Sequence, residues 1–170
     1  MRETKIHKLE DLMKIREEIK RQGKKVVFTN GCFDILHSGH IYIFREAKKW
    51  GDVLIVAVND DSSVKKIKGR FRPIFSLEER LEILESIEEI DYLVSFSEET
   101  PQKIIASLLP GVLVKGGDWK IEEVVGKNEV EKAGGKVVVI PYLKGYSSTE
   151  IIERIIHSTK HQTRDVKRKA

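Results

Sequence analysis

Two histidines three residues apart, His37 and His40, follow the stretch Thr29-Asn30-Gly31-Cys32-Phe33-Asp34 and flank Gly39. The apolar run Val26-Val27-Phe28 before them reads as a short buried strand, and a helical pattern opens at about Gly39. A strand that enters a glycine turn and then a helix gathers hydrogen-donating rings, bare backbone N–H groups and the positive end of a helix dipole at one point. Such a point holds phosphate. Histidines at this spacing on a helix start can face one side, and a glycine between them lets an anion approach the backbone closely. Asp34 stands among these donors, so it is expected to fix the loop or a histidine tautomer rather than to act as a base; a magnesium contact stays open.

Further segments carry related chemistry. Lys68-Gly69-Arg70-Phe71-Arg72-Pro73 is a cationic loop with no carboxylate between Ser62 and Glu78. Arg80 lies within the apolar stripe of Leu77, Leu81 and Leu84. A guanidinium there must reach out to water or meet an anion, and the anion is the expected partner. Lys115-Gly116-Gly117-Asp118-Trp119 permits a tight turn that offers a carboxylate and an aromatic face, Trp119 serving either a nucleotide or plain packing. Ser147-Ser148-Thr149 is explained either by helix capping or by hydroxyls and N–H groups turned toward phosphate. Cys32 reads as a small packing residue.

The elements that must position these groups are legible as alternating patterns. Strand-like runs recur at 26–28, 53–58, 92–94, 112–114 and 137–140, and most are continuous, as expected when both faces of a parallel sheet are covered. Between them lie helical stretches: one over about 8–22 with a stripe of Leu9, Leu12, Ile15 and Ile19, and one from about Gly39 to Trp50. A third is opened by the capping box of Ser76 and Glu79, a fourth by Thr100-Pro101, and the last by Ser147 and Glu150. The alternation predicts a Rossmann-like open parallel α/β sheet of about five strands with helices on both faces. One domain over 1–157 is expected, followed by a basic, frayed tail over 158–170. In such sheets ligands sit outside the carboxyl ends of the strands, where strand order reverses. The candidate segments at 29–40, 115–119 and 147–149 all follow strand runs.

Composition narrows the classes. The net charge of +4 is concentrated in the tail, where Lys160, Arg164, Lys167, Arg168 and Lys169 face Asp165 alone. Setting these aside from 31 cationic and 27 anionic residues leaves 26 of each, so the body is neutral and nucleic acid is not an expected partner. No apolar run approaches the roughly 18–20 residues that span a bilayer. No secretory pattern opens the chain, so no membrane partner and a cytoplasmic location are expected. The single cysteine excludes an internal disulfide framework. G-x-G-x-x-G and Walker motifs are absent, as is any Ser/His/Asp arrangement or zinc-like spacing.

Gly31-Cys32-Phe33-Asp34 followed by His37-Ser38-Gly39-His40 resembles the signature of the cytidylyltransferase-like nucleotidyltransferases. The likeness continues through Lys68 to Ile74, Glu79-Arg80, Lys115 to Trp119 and Ser147 to Ile152. Within that family, Thr-Asn-Gly, the K-G-x-x-R-P loop and K-G-G-D-W look most like the branch that adenylylates D-glycero-β-D-manno-heptose 1-phosphate, in its stand-alone form without a sugar kinase. The glycerol-3-phosphate cytidylyltransferases usually carry R-T-E-G-I-S-T-T where this chain has Tyr142 to Thr149, without that arginine.

The resemblance implies an adenylyltransferase that joins AMP from ATP to the sugar phosphate, with release of pyrophosphate, for lipopolysaccharide precursor synthesis. It implies His37, His40, Lys68, Arg72 and Arg80 as the catalytic set, with Arg70, Arg72 and Arg80 on substrate phosphate. Nucleotide is expected on Thr29, Asn30, Gly31, Cys32, Phe33, Asp34 and Gly39, on Lys115, Gly116, Gly117, Asp118 and Trp119, and on Ser147, Ser148 and Thr149. Mg2+ is expected to bridge ATP phosphates, its protein ligands unassigned. Relatives often pair, so a homodimer stays open. The alternatives are a CTP-dependent cytidylyltransferase of the glycerol-3-phosphate type and a non-catalytic nucleotide or nucleic-acid binder.

Overall fold

The computed structural model describes residues 3–143 and 145–168, with side chains to Thr159. Five strands form one sheet: β1 (Val26–Gly31), β2 (Val53–Asn59), β3 (Tyr92–Phe96), β4 (Val112–Gly116) and β5 (Lys136–Ile140). All neighbours run parallel in the order β3-β2-β1-β4-β5. The helices are α1 (Leu9–Arg21), α2 (Ser38–Lys48), α3 (Asp61–Lys68), α4 (Leu77–Glu85), α5 (Gln102–Leu108), α6 (Lys127–Lys132) and α7 (Ser148–Arg168). This is the doubly wound Rossmann-like arrangement that the alternating pattern predicts.

The period-two geometry of strands explains why the runs are continuously apolar. In β2, Leu54, Val56 and Val58 point into one core with Phe44, Ala47 and Leu84 of α2 and α4. Ile55 and Ala57 point into the other, with Leu12 and Ile19 of α1, Ile105 and Leu108 of α5, and Val130 of α6. Both faces are buried, so no polar alternation survives.

The strand order reverses between β1 and β4. Six registered pairs join β1 to β2, from Val26–Val53 to Gly31–Val58. Only Val27–Val112 and Phe28–Leu113 register β1 with β4. The two strands therefore part toward their carboxyl ends, which opens a crevice at the switch point.

Several details differ from the sequence pattern. α3 follows β2 directly, capped by Asp60, whose carboxylate accepts from Ser63 N–H at 2.8 Å. Its eight residues bury only Ser63 and Val64, too thin a stripe to stand out, so Lys68 is its last residue rather than part of a free loop. α6 is a short helix of the same kind. Pro101, not Thr100, occupies the cap position of α5, with no side-chain cap bond. α7 continues as helix to Arg168 through the segment expected to fray; Lys169 and Ala170 lie outside the described residues. Among the described residues, no helix is long and apolar enough to cross a membrane.

Candidate active site

β1 ends in Thr29, Asn30 and Gly31; Thr29 is buried within the sheet and the next two are half-buried at its rim. The chain then turns through Phe33, at φ 47°. The Phe33 ring folds back against Gly31, where a Cβ would lie 2.9 Å from Phe33 Cζ. The same ring meets the edge of His40 at 5.3 Å and Phe44 at 5.3 Å. A buried aromatic floor thus fixes the loop from which the histidines rise.

His37 is the N-cap of α2, and the two histidines replace the usual hydroxyl and carboxylate of a capping box. His37 Nδ1 accepts from Gly39 N–H at 3.1 Å, and His40 Nδ1 accepts from His37 N–H at 3.4 Å. The rings stack with centroids 3.8 Å apart. Burial and the neighbouring His37 pull His40 down to a pKa of about 3; burial also lowers His37, partly opposed by the Glu150 carboxylate. Both rings are therefore neutral at pH 7. With each Nδ1 accepting, each ring proton sits on Nε2. The pair presents two fixed N–H donors rather than two cations.

Gly39 has a more crowded reason to be glycine than an approaching phosphate. A Cβ there would lie 3.0 Å from the His37 ring and 3.2 Å from Tyr146 Cβ. The absent side chain lets the segment before α7 close onto the histidine turn.

Asp34 fixes a loop, though not a histidine. Its buried carboxylate accepts from Arg72 Nε, from Ile74 N–H at 2.6 Å and from Phe75 N–H at 2.9 Å. That clamp brings the Lys68–Phe75 loop against the end of β1. Arg80, expected on substrate phosphate, sits in the structure among protein acceptors. It is 1% exposed, and four of its five N–H groups meet protein acceptors. Nε donates to Phe75 O at 3.1 Å, one Nη to Cys32 O at 2.5 Å and Asn59 O at 2.7 Å, and the other to Asp61 at 2.7 Å. The anion in its reach is the Asp61 carboxylate. Arg80 ties β1, β2 and the loop before α4 together.

Cations gather near Cys32. Burial raises the Cys32 thiol, while Lys68, Arg80 and Arg72 pull it back. Burial lowers the Lys115 ammonium; Cys32 opposes this and Lys68 adds to it. Lys68, Arg72 and Lys115 are thus brought together from α3, the following loop and β4. Arg70 is exposed, with its guanidinium 4.5 Å from the Phe71 ring centroid. Gly116 packs on Ile43 of α2, and Gly117 begins the turn that carries Asp118 and Trp119, both exposed.

The start of α7 closes the fourth side. Ser147 Oγ accepts from Glu150 N–H at 3.1 Å as a cap, and Ser148 Oγ donates to Ile35 O at 3.3 Å. Thr149 is exposed. The loop between β1 and α2 is therefore bonded to the 72–75 loop, to α4 and to α7. Asn59 and Asp61 belong to this assembly without any motif to announce them, Tyr146 packs on Gly39, and Glu150 joins as the capping-box partner of Ser147. Position after a strand end was the one available signal for Asn59 and Asp61. Among the described residues every buried side-chain N and O has a partner.

A doubly wound sheet with fixed N–H donors, lysines and helix starts around its switch point is the arrangement that suits an anionic ligand. The chain belongs to the cytidylyltransferase-like family, whose profile matches residues 28–154. It is 53% identical over 140 residues to the bifunctional protein HldE of Shewanella sp. (strain W3-18-1), covering 82% of this chain and 29% of that protein. It is 47% identical over 156 residues to the bifunctional protein HldE of Geobacter metallireducens, covering 92% of this chain and 32% of that one. The chain thus spans about a third of the length of these relatives. The solved structure of a lipopolysaccharide core biosynthesis protein from Thermoplasma volcanium superposes with a TM-score of 0.60 at 31% identity, over 74% of this chain and all of that one. A pantoate-beta-alanine ligase from Francisella tularensis shares the fold alone, at 18% identity and a TM-score of 0.58 over 88% of this chain and 76% of that one.

Proposed function

We propose that this chain transfers AMP from ATP to D-glycero-β-D-manno-heptose 1-phosphate, giving ADP-heptose and pyrophosphate. A sugar-phosphate oxygen attacks the α-phosphorus in line; the bond from that phosphorus to the α–β bridging oxygen breaks, and its electron pair leaves with pyrophosphate. The nucleophile is already an anion at neutral pH, so no proton need be removed. The barrier lies in bringing anions together and in charge growing on the α-phosphoryl and leaving groups, which positioning and fixed donors lower.

The observation that carries this reading is the stacked histidine pair with both Nδ1 atoms held by backbone N–H groups. Neutral Nε2–H donors, held in place before substrate arrives, need no reorganisation as charge develops on phosphate. Bound triphosphate would itself raise their pKa values through opposite charge. Lys68, Arg72 and Lys115 supply positive potential for the two phosphate groups, and Ser147 to Thr149 with the start of α7 supply hydroxyls and N–H groups. Arg80 acts at one remove, by holding the loops that present these side chains.

Mg2+ enters with ATP, as part of the substrate. Among the described residues no three His, Cys, Asp or Glu side chains stand together as a metal cage. Asp34, the single carboxylate of the histidine loop, is engaged by Arg72 and two backbone N–H groups. What the ion supplies is charge neutralisation on the phosphate oxygens.

Pyrophosphate release measured with ATP and CTP, each against heptose 1-phosphate and glycerol 3-phosphate, tests the proposal. Turnover confined to ATP with the heptose phosphate supports it. Preference for CTP and glycerol 3-phosphate would move the chain to the other branch, and nucleotide binding without turnover would make it a sensor.

A further inference from the structure

The two edges of the sheet are treated differently. Alongside β3, residues 5–7 form a bridging segment: Leu93 N–H donates to Lys5 O at 2.7 Å, and His7 N–H donates to Leu93 O at 2.9 Å. That edge is covered. β5 ends the sheet on the other side. Lys136 N–H donates to Gly111 O at 3.1 Å, and Ile140 O accepts from Gly117 N–H at 2.9 Å. By the alternation of a parallel ladder, Lys136, Val138 and Ile140 therefore bond toward β4. Val137 and Val139 turn their N–H and C=O groups the other way, and no described residue bonds them.

Unpaired strand edges are commonly blunted by proline, a bulge or an inward charge. Here three valines stand in a row, Val138 packed on one core and Val137 and Val139 on the other. Exposed apolar surface lies beside them. Trp50 has its ring centroid 4.1 Å from Lys136 Nζ, and Ile121 belongs to the 3-10 turn Ile121–Glu123, which packs against β5. The strand is also self-complementary. Its two outward residues are placed evenly about Val138, so a twofold axis there sets Val137 of each copy against Val139 of the other, each pair exchanging both N–H···O bonds. Charge agrees with that antiparallel sense. Exposed Lys132 and Lys136 mark the amino end of β5, with no carboxylate from 132 to 140. Exposed Asp118, Glu122 and Glu123, with Lys120 among them, lie past the carboxyl end of β4. A twofold turns each basic end toward the partner's acidic end.

We infer that β5 is a self-association edge, on which β5 of a second copy of this chain pairs antiparallel to join the two sheets into one. The inference is independent of the transfer reading.

Sedimentation equilibrium of wild type and Val139→Pro, with oxidative cross-linking of Val138→Cys, tests it. Proline at 139 removes an N–H that bonds nothing within its own copy and sets its ring on the open edge. Wild type should be dimeric at about 10 µM. Val139→Pro loses two of the four exchanged bonds, so its dimer dissociation constant should rise at least about 100-fold while its far-UV circular dichroism is retained. Val138→Cys should form a disulfide-linked dimer on mild oxidation, because a non-hydrogen-bonded antiparallel pair sets Cα atoms about 4.5 Å apart. Wild type, with Cys32 alone, should not. A wild type that stays monomeric to about 100 µM, a Val139→Pro dimer as tight as wild type, or no link in Val138→Cys would overturn the inference. Should Val139→Pro fail to fold, the presence or absence of the Val138→Cys link decides.

Discussion

Arg80 offers the sharpest test of how the loops are held. Replacing it with methionine keeps length and apolar bulk but removes the guanidinium. Asn59 O and Cys32 O lose donors at 2.7 and 2.5 Å, Phe75 O loses one at 3.1 Å, and Asp61 loses its ion pair. The Asp61 side chain is 42% exposed, so water takes up much of that charge. The carbonyls have less access, and a buried acceptor left without its donor costs about 1–3 kcal/mol. Two such groups plus a weakened third give about 3–5 kcal/mol. For a domain of this size that corresponds to a melting temperature lower by roughly 6–20 °C. Thermal melts followed by circular dichroism should show that drop. At temperatures well below the transition, the Michaelis constants for both phosphate substrates should change less than about tenfold while turnover falls, because the donors are still present but less well held. An unchanged melt together with a Michaelis constant raised 100-fold would show that the guanidinium reaches substrate, and the positioning argument would fail.

Three further outcomes follow from the same geometry. His40→Ala should lower turnover with ATP by about 100-fold, since one fixed donor to the developing charge is lost. Its melting point should fall by only a few degrees, the loss of a cap bond of about 1 kcal/mol; near-normal turnover would remove His40 from the chemistry. For His40, with a pKa of about 3 against an ordinary 6.5, the unfolded chain binds a proton between those values that the folded chain refuses. Stability therefore decreases on acidification below pH 6.5, by up to about 1.4 kcal/mol per pH unit. Urea melts at pH 7.5 and 5 should show wild type losing up to about 2 kcal/mol more than His40→Gln, and equal losses would contradict the buried neutral imidazole. Cys32, its thiol raised by burial, should react with iodoacetamide at least about tenfold more slowly than free cysteine at pH 8, and more slowly still with ATP bound; labelling at the free-thiol rate would place it outside the crevice.

The parts of this molecule that were legible in the sequence are those encoded locally. Continuous runs such as Val53 to Val58 announce a sheet covered on both faces, and Ser76 with Glu79 announces the start of α4 at its observed residue. The segments expected to flank one crevice follow strand ends, which fold topology alone brings to one rim. Arg80 shows where local reading stops. Its place in an apolar stripe pointed to an anion, but three of its four partners in the structure are backbone carbonyls, which leave no mark in the sequence. Asp34 is similar: its partners lie 38 to 41 residues away, and two of them are backbone N–H groups. The tautomers of His37 and His40 depend on Nδ1 contacts fixed only when the first turn of α2 forms. α3 was hidden because a helix of eight residues with a thin buried stripe looks like a polar loop.

The most direct test follows ATP and heptose 1-phosphate by ³¹P NMR with purified chain and Mg2+. Paired signals of a pyrophosphate diester should grow in step with free pyrophosphate and vanish in His37→Ala/His40→Ala. Release of orthophosphate without a nucleotide sugar, or undiminished product from the double variant, would contradict it.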